Sequence, residues 1–193
     1  MSIEIDTIAE RLRLAAKAHE AMAETGAGSI AAAADLIVGA ILRGDKLLLC
    51  GNGGSAADCQ HMAAELVWRL THERDRPGIP AIALTTDTSF ITAYANDAGF
   101  EGVFARQVAT LGRPGDVLIA ISTSGGSRNV LVAADEARKR GLSVVALLGR
   151  DGALAQSADV AIRVPADDTQ LIQQVHLAIE HLICLLIERA LYP

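Results

Sequence analysis

The sequence has few aromatic side chains, few cysteines and no excess of positive charge. Aromatic residues make up 3% of its 193 residues although 51% are hydrophobic, so we expect a core of aliphatic side chains. The three cysteines, Cys50, Cys59 and Cys184, show no paired spacing, which favours reduced thiols over a disulfide framework. A formal net charge of −6 argues against nucleic acid or an anionic membrane as the main partner.

The sequence also lacks a long uninterrupted apolar run. Its most apolar stretch, residues 27–42, contains Asp35, and we expect it to be too short and too polar to cross a bilayer. Charged residues from Glu4 onward occupy positions where a signal peptide would be apolar. These features predict a soluble, cytoplasmic protein without a membrane partner.

Strand-like and helix-like runs alternate through most of the chain. Strands are predicted at 46–50, 80–84, 116–121, 142–148 and 159–164. Helices are predicted at 55–70, 88–109 (as two short helices), 127–140, 152–157 and 169–191. This alternation predicts one α/β domain over residues 1–193, a doubly wound parallel sheet of five strands flanked by helices.

The first 44 residues are predicted to form two helices with a break near 26–28, where two glycines fall. In the second of these helices Ile30, Ile37 and Ile41 keep a helical period. A five-stranded sheet does not need this pair to cover its faces, so the apolar stripe indicates packing between subunits. We therefore predict an N-terminal oligomerisation segment over 1–44 and an α/β core over 45–193, with an extra layer inside one chain as the alternative.

Two glycine- and serine-rich turns are the most informative feature of the chain. The first turn, residues 51–55, has the sequence Gly-Asn-Gly-Gly-Ser, and the second turn, residues 122–127, has the sequence Ser-Thr-Ser-Gly-Gly-Ser. Each follows a predicted strand and precedes a predicted helix, so it presents backbone N–H groups and the positive end of a helix to an anion. Ligands of doubly wound sheets bind at the carboxyl ends of the strands. The turns therefore predict a small phosphorylated ligand.

The turns do not match two common nucleotide-binding motifs. The first turn lacks the G-x-G-x-x-G spacing of a dinucleotide-binding dehydrogenase. Neither turn carries the Gly-Lys-Ser/Thr element of a P-loop NTPase. Both classes are therefore disfavoured.

Titratable residues lie on the helix after the first turn. His61 and Glu65 are four residues apart and share one helix face, from which they could reach a substrate held at the helix start. A simple surface pair is the alternative. Asp58 is either a site residue or an acid that complements the helix dipole. Asn96 and Asp97, at the end of a later helical pattern, are either turn-capping or hydroxyl-binding residues.

The predicted last helix carries Gln173, His176, Glu180 and His181 among apolar residues. Polar side chains in so apolar a helix need partners. Gln173 and His181 are separated by about 12 Å of helical rise, so they meet one small atom only if their side chains reach inward, the helix distorts or separate subunits contribute. We assign the His176–Glu180 pair a solvated or interface role.

Taken together, these motifs resemble those of the phosphoheptose isomerases, enzymes with a sugar-isomerase (SIS) domain. The resemblance rests on the two turns, on His61 and Glu65, on the Asn96–Asp97 pair, and on Gln173 with His181, and it covers essentially the whole chain. It implies a flavodoxin-like SIS fold. It also implies interconversion of sedoheptulose 7-phosphate and glycero-manno-heptose 7-phosphate through an enediol(ate), which supplies the biosynthesis of nucleotide-activated heptose.

The resemblance also implies roles for individual residues. Glu65 would be the base and His181 the acid of the catalytic pair. The residues implied to bind substrate are Asn52, Gly53, Gly54, Ser55, Glu65, Asn96, Asp97, Ser122, Thr123, Ser124, Ser127 and Gln173. The ligands implied for one zinc ion per subunit are His61, Glu65, Gln173 and His181. A homotetramer with active sites at subunit interfaces is also implied.

Two other functions fit parts of the sequence. A non-catalytic SIS scaffold, such as the DnaA initiator-associating protein, shares the fold but lacks the acid–base pair, whereas Glu65 and His181 are both present here. An isomerase acting on another phosphosugar, such as a hexose or pentose phosphate, would keep all of these motifs. Substrate length depends on loop geometry that a sequence does not give.

Overall fold

The computed structural model describes residues 4–72 and 75–193. The strands are β1 (Leu47–Cys50), β2 (Ala81–Ala83), β3 (Val117–Ser122), β4 (Ser143–Leu148) and β5 (Val160–Arg163). The α-helices are α1 (Ile5–Leu42), α2 (Gly54–Val67), α3 (Thr88–Ala98), α4 (Val103–Leu111), α5 (Arg128–Lys139) and α6 (Thr169–Leu191). Short 3₁₀ turns lie at Phe100–Gly102 and Ala153–Gln156.

The sheet is fully parallel, with the strand order β2-β1-β3-β4-β5. The prediction of a doubly wound five-stranded sheet is therefore confirmed. The order reverses between β1 and β3, which pair directly from Leu47 with Val117 to Cys50 with Ala120. Both glycine- and serine-rich turns leave the carboxyl ends of these two strands, so they lie side by side at the switch point, where ligands of such sheets bind.

Alternate residues of each strand enter two separate hydrophobic cores. Leu47 and Leu49 of β1 face one layer, which contains α1, α2 and α6. Leu48 and Cys50 face the opposite layer, which contains α4 and α5. The strand period of two thus divides one apolar run between two cores. The three cysteines are free and buried, as predicted.

The N-terminal segment is one helix, so the predicted helical pair is wrong. The helix α1 continues through 26–28 without a break. A Cβ at Gly26 would lie 1.8 Å from Cε of Met22, so the missing side chain admits Met22 instead of ending the helix. The second half of α1 packs on α6 and β5 as a layer within the chain. In the first half, Ile5, Ile8 and Leu12 stay exposed.

The continuity of α1 also changes the argument from length about membranes. Residues 27–42 belong to a helix of 38 residues, so they are not too short to span a bilayer. By length and composition alone, α1 and α6 could both cross a membrane, and 33% and 50% of their most apolar windows are buried in the fold. Core helices of soluble proteins pass the same test, so the feature is weak evidence for a membrane span.

A buried ion pair connects the end of α2 to α6. Arg76 Nε donates to Glu188 Oε1 at 2.7 Å, and both side chains are 1% exposed. The same guanidinium donates to the carbonyl oxygens of Glu65 at 2.8 Å and Leu66 at 2.9 Å, in the last turn of α2. The backbone N–H of Leu70 also donates to Glu188 Oε1. Arg76 therefore satisfies carbonyl groups at the end of α2 while holding α6 beside it.

Candidate active site and metal-binding group

The first turn joins β1 to α2 through a conformation that requires glycine. Gly53 has a φ of 55° and occupies the N-cap position of α2. A Cβ at Gly51 would lie 2.8 Å from the carbonyl oxygen of Ser55, so the chain folds back too closely there for any side chain. Because Gly53 has no side chain with which to cap the helix, no N-cap side chain satisfies the first backbone N–H groups of α2, which leaves them available to an anion.

The second turn is organised by its own hydroxyl groups. Ser122 Oγ donates to Ser127 Oγ at 2.9 Å, and the N–H of Gly126 donates to Ser124 Oγ at 3.2 Å. Gly125 has a φ of 61° and lies against Gly152, where a Cβ would meet another backbone at 2.7 Å. Ser122 is buried and Ser124 is exposed. The turn therefore offers exposed donors on a fixed backbone, which suits a phosphate group.

An amide pair connects the two turns. Asn52 Nδ2 donates to Asn129 Oδ1, and Asn129 Nδ2 donates to Asn52 Oδ1, both at 2.8 Å. Sequence reasoning missed Asn129. The signal that could have found it is its position on the apolar stripe of α5, since the side chains of Val130, Ala133 and Ala137 are also buried.

Two histidines and a glutamate come together where α2 and α6 lie side by side. The Nε2 atoms of His61 and His181 are 2.8 Å apart, and Glu65 Oε1 lies 3.3 Å from the first and 3.7 Å from the second. The histidine side chains are 43% and 42% exposed and that of Glu65 is 16% exposed. The three side chains form a group that could hold a metal ion. The alternative interpretation, a surface pair of His61 and Glu65 alone, therefore leaves out His181.

The geometry of this group suits a tetrahedral ion. Two ligand atoms of tetrahedral zinc are about 3.3 Å apart, because each lies 2.0–2.1 Å from the ion. The separations between the three donor atoms, 2.8, 3.3 and 3.7 Å, bracket that value. Imidazole and carboxylate are also ligand types that zinc accepts. Glu65 Oε1 faces both histidines, whereas Glu65 Oε2 is buried without a hydrogen-bond partner among the described residues.

Gln173 lies at a different level of the same helix pair. Its amide occupies the space beside Gly54, where a Cβ would lie 2.4 Å from Nε2 of Gln173. Gly54 thus faces Gln173 while His61 faces His181, so α2 and α6 run parallel. Between these two levels the helices rise by about 10–12 Å. The inclusion of Gln173 in the metal set stays a prediction.

The two glycine- and serine-rich turns and the histidine–glutamate group are also separated within one chain. From Gly54 the helix α2 rises by about 10 Å to His61 and by about 16 Å to Glu65. The structure therefore places the two turns side by side and the three candidate ligands together, with the ligands about two to three turns of α2 beyond the first of these turns.

Buried titratable groups lie beneath the histidine–glutamate group. His176 and Glu180 are both fully buried within the chain, so the solvated or interface role expected for this pair is wrong. Their spacing from Ile172, Ile179 and Ile183 puts them on the inner face of α6. Burial, together with the charges of Asp58 and Glu65, raises the pKa of Glu180 to about 9. The environment therefore favours the neutral form of this carboxyl group.

Burial also shifts the pKa values of His176 and of the half-buried Asp58. Burial lowers the pKa of His176 to about 4, although its Nε2 lies 3.3 Å from the carbonyl oxygen of Leu148. Burial also raises the pKa of Asp58, against the lowering effect of His61. One oxygen of Asp58 is buried without a hydrogen-bond partner among the described residues.

Asn96 and Asp97 lie in the last turn of α3, on the surface. Asn96 Nδ2 donates to Asp97 Oδ1 at 2.7 Å, and both residues are exposed. The C-cap of α3 is Gly99, with a φ of 91°, so the pair does not cap this helix. Their hydroxyl-binding role stays a prediction.

The fold and the two turns define a SIS-domain protein. The family model described as "SIS domain" matches residues 12–149. This match covers most of the helix α1, both turns and four of the five strands, and it confirms the predicted fold class.

Within this class the similarity is more specific. A phosphoheptose isomerase from Shewanella sp. strain ANA-3 is 48% identical over 97% of this chain and 94% of its own length. Solved phosphoheptose isomerases from Francisella tularensis and Neisseria gonorrhoeae give TM-scores of 0.93 and 0.89 at 38% and 40% identity. They cover 97% and 95% of this chain and 100% and 98% of their own chains. The chain belongs to the phosphoheptose isomerase family.

Proposed function

We propose that this protein isomerises D-sedoheptulose 7-phosphate to D-glycero-D-manno-heptose 7-phosphate in the cytoplasm, and so supplies the biosynthesis of nucleotide-activated heptose. The observation that carries the proposal is the convergence of His61, Glu65 and His181 in a chain that belongs to a family of isomerases. A base and an acid are the two groups that an aldose–ketose isomerisation needs. The non-catalytic SIS scaffold needs neither.

The reaction moves one proton between carbons and one between oxygens. Glu65 removes a proton from C1 of the ketose and returns it to C2, with an enediol(ate) between the two steps. His181 donates a proton to the C2 carbonyl oxygen through the ring nitrogen that does not face the other two ligands, and it accepts the proton that the C1 hydroxyl loses as the aldehyde forms. Glu65 Oε1 is the oxygen directed at His181, so the carboxylate must present this atom, or rotate Oε2 out of its buried position, to reach the substrate.

We assign the phosphate of the substrate to the second turn and its sugar chain to the first. Ser122, Thr123, Ser124 and Ser127 bind the phosphate in this proposal. The backbone of 52–55 approaches the sugar, and Asn96 with Asp97 approaches its hydroxyl groups. Holding the phosphate orients the reacting carbons without any chemical role for the turn itself.

We further propose one zinc ion per subunit, held by His61, Glu65 and His181 with Gln173 as a fourth ligand. When bound, zinc polarises the carbonyl and hydroxyl oxygens of the substrate as a Lewis acid. The donor types and their separations support this set for the first three residues. Gln173 completes this ligand set only if its side chain extends along α6 towards the other three residues, or if it comes from a neighbouring subunit.

We also propose that the single domain 1–193 assembles as a homotetramer with its active sites at subunit interfaces. The separation of about 10–16 Å along α2 supports this, because a neighbouring copy can bring a phosphate-binding turn to the histidine–glutamate group. The exposed apolar residues Ile5, Ile8 and Leu12 support a role of segment 1–44 in assembly.

The test is an NMR assay of zinc-loaded protein with sedoheptulose 7-phosphate. The wild type should produce the aldoheptose phosphate, and Glu65→Gln should lower turnover at least about 100-fold. Glu136→Gln, a half-buried glutamate of α5 that pairs with Arg140, is the matched control and should behave as the wild type. Zinc content is measured in each sample, since loss of metal and loss of the base would otherwise look alike.

Each outcome of this assay has a definite meaning. A zinc-loaded Glu65→Gln protein that binds substrate without converting it supports the role of base. Wild-type protein that converts only a pentose or hexose phosphate moves the substrate assignment to that sugar. Wild-type protein that binds a phosphosugar and converts none refutes the enzyme proposal in favour of the scaffold.

A further inference from the structure

Asn129 is a buried polar residue that the proposed reaction does not use. It is the second residue of α5, directly after the second turn, and it is 4% exposed. Its side-chain amide exchanges two hydrogen bonds of 2.8 Å with Asn52 in the first turn. The two residues are 77 positions apart in the chain, so the contact exists only because the fold brings the turns together.

The amide pair lies at the point where the two turns leave the sheet. The two turns follow β1 and β3, the neighbouring strands between which the strand order reverses. The helices that follow, α2 and α5, lie on opposite faces of the sheet, so their N-termini diverge from this point. The last backbone pairing of these strands is Cys50 with Ala120, two residues before Asn52. Beyond it, the amide pair joins the first turn to the first residues of α5, which follow the second turn.

We propose that Asn129 is a positioning residue for the substrate. Through Asn52 it fixes the first turn at a set distance from the second, so that one phosphosugar can engage both turns at once. This role rests on the proposed function, because it assigns the phosphate to one turn and the sugar chain to the other. Asn129 acts through Asn52 and touches no reacting atom.

A double-mutant cycle tests whether Asn129 acts through Asn52. Kinetics with sedoheptulose 7-phosphate are measured for Asn129→Ala, Asn52→Ala and the double variant. Two lost hydrogen bonds should raise the KM of Asn129→Ala about tenfold, with kcat within about twofold of the wild type. In the Asn52→Ala background, adding Asn129→Ala should change KM no further.

A conservative variant guards against a simple folding defect. Asn129→Gln retains both the donor and the acceptor of the side-chain amide, so its KM should rise less than that of Asn129→Ala. General destabilisation lowers the fraction of active protein and hence the apparent kcat. It is therefore not expected to give graded KM values while kcat and the thermal midpoint stay constant.

Three results would overturn the proposal. They are an unchanged KM in both Asn129 variants, a full additional effect of Asn129→Ala in the Asn52→Ala background, and a loss of kcat that parallels a loss of folded protein. The wild-type assay separates this failure from that of the proposed function. Absence of wild-type turnover refutes the function, whereas normal wild-type turnover with any of the three results refutes the positioning role.

Discussion

Replacement of Arg76 by methionine should strongly destabilise the protein. The substitution removes the cation of a pair whose side chains are each 1% exposed and leaves the Glu188 carboxylate in the core. One oxygen of that carboxylate would then have only the N–H of Leu70, at 3.0 Å, and the other has no hydrogen-bond partner among the described residues. The carbonyl oxygen of Glu65 would lose the guanidinium donor as well, and that of Leu66 would keep only the N–H of Ile79.

The expected loss follows from the cost of an unpaired buried charge. Removing one partner of a buried ion pair costs about 3–5 kcal/mol. Domains are stable by about 5–15 kcal/mol, so the change is a large fraction of the total. For a domain of this size it should lower the thermal midpoint by about 6–20 °C. Replacing both partners by methionine should recover much of the loss, because no buried charge is then left alone.

The assay is urea unfolding followed by circular dichroism, at two protein concentrations so that subunit dissociation is visible. Arg140→Met is the matched control, because Arg140 forms a 2.6 Å pair with Glu136 whose side chains are 42% and 25% exposed. That change should cost less than about 0.5 kcal/mol. A loss below about 1 kcal/mol for Arg76→Met, or a double variant less stable than Arg76→Met, would refute the reasoning.

Three further predictions concern other parts of the molecule. Ser124→Ala should raise KM several-fold with little change in kcat, and an unchanged KM would remove Ser124 from the phosphate site. His61→Ala should reduce the bound zinc, measured by atomic emission, to below about one-tenth of the wild-type content, and full retention would refute the ligand assignment. Since the pKa of His176 is lowered to about 4, the stability that its neutral form contributes is present above pH 6.5 and is lost as pH falls towards 4. The stability difference between wild type and His176→Gln should therefore shift by up to about 1.4 kcal/mol per pH unit in that window, measured by urea unfolding, and a constant difference would contradict the burial argument.

The strands and the two turns were predictable because local signals fix them. Apolar runs such as 116–121 are followed directly by glycine- and serine-rich turns. A strand that is buried on both faces reads as one continuous apolar run, so its position in the sequence is easy to recognise. The helix break near Gly26 was wrong because intrinsic propensity was outweighed by a tertiary contact. The glycine makes room for Met22, which a sequence window does not reveal.

The candidate site was predictable only where helix geometry or the resemblance of motifs determines it. The pairing of His61 with Glu65 follows from helix geometry, and the resemblance of motifs added His181. The burial of His176 and Glu180 could have been inferred from their period with Ile172 and Ile183, but their polar character was given more weight. The Asn52–Asn129 and Arg76–Glu188 contacts join positions 77 and 112 residues apart, so they depend on how the helices dock.

The parallel arrangement of α2 and α6 has a consequence for the order in which the protein matures during synthesis. His61 and His181 meet across 120 residues, whereas both glycine- and serine-rich turns are complete once α5 has been made. A growing chain can therefore form the edge of the sheet to which we assign the phosphate before it can form the histidine–glutamate group. A chain that stops before α6 would carry His61 and Glu65 without His181, so metal loading is expected to report that the last helix has docked.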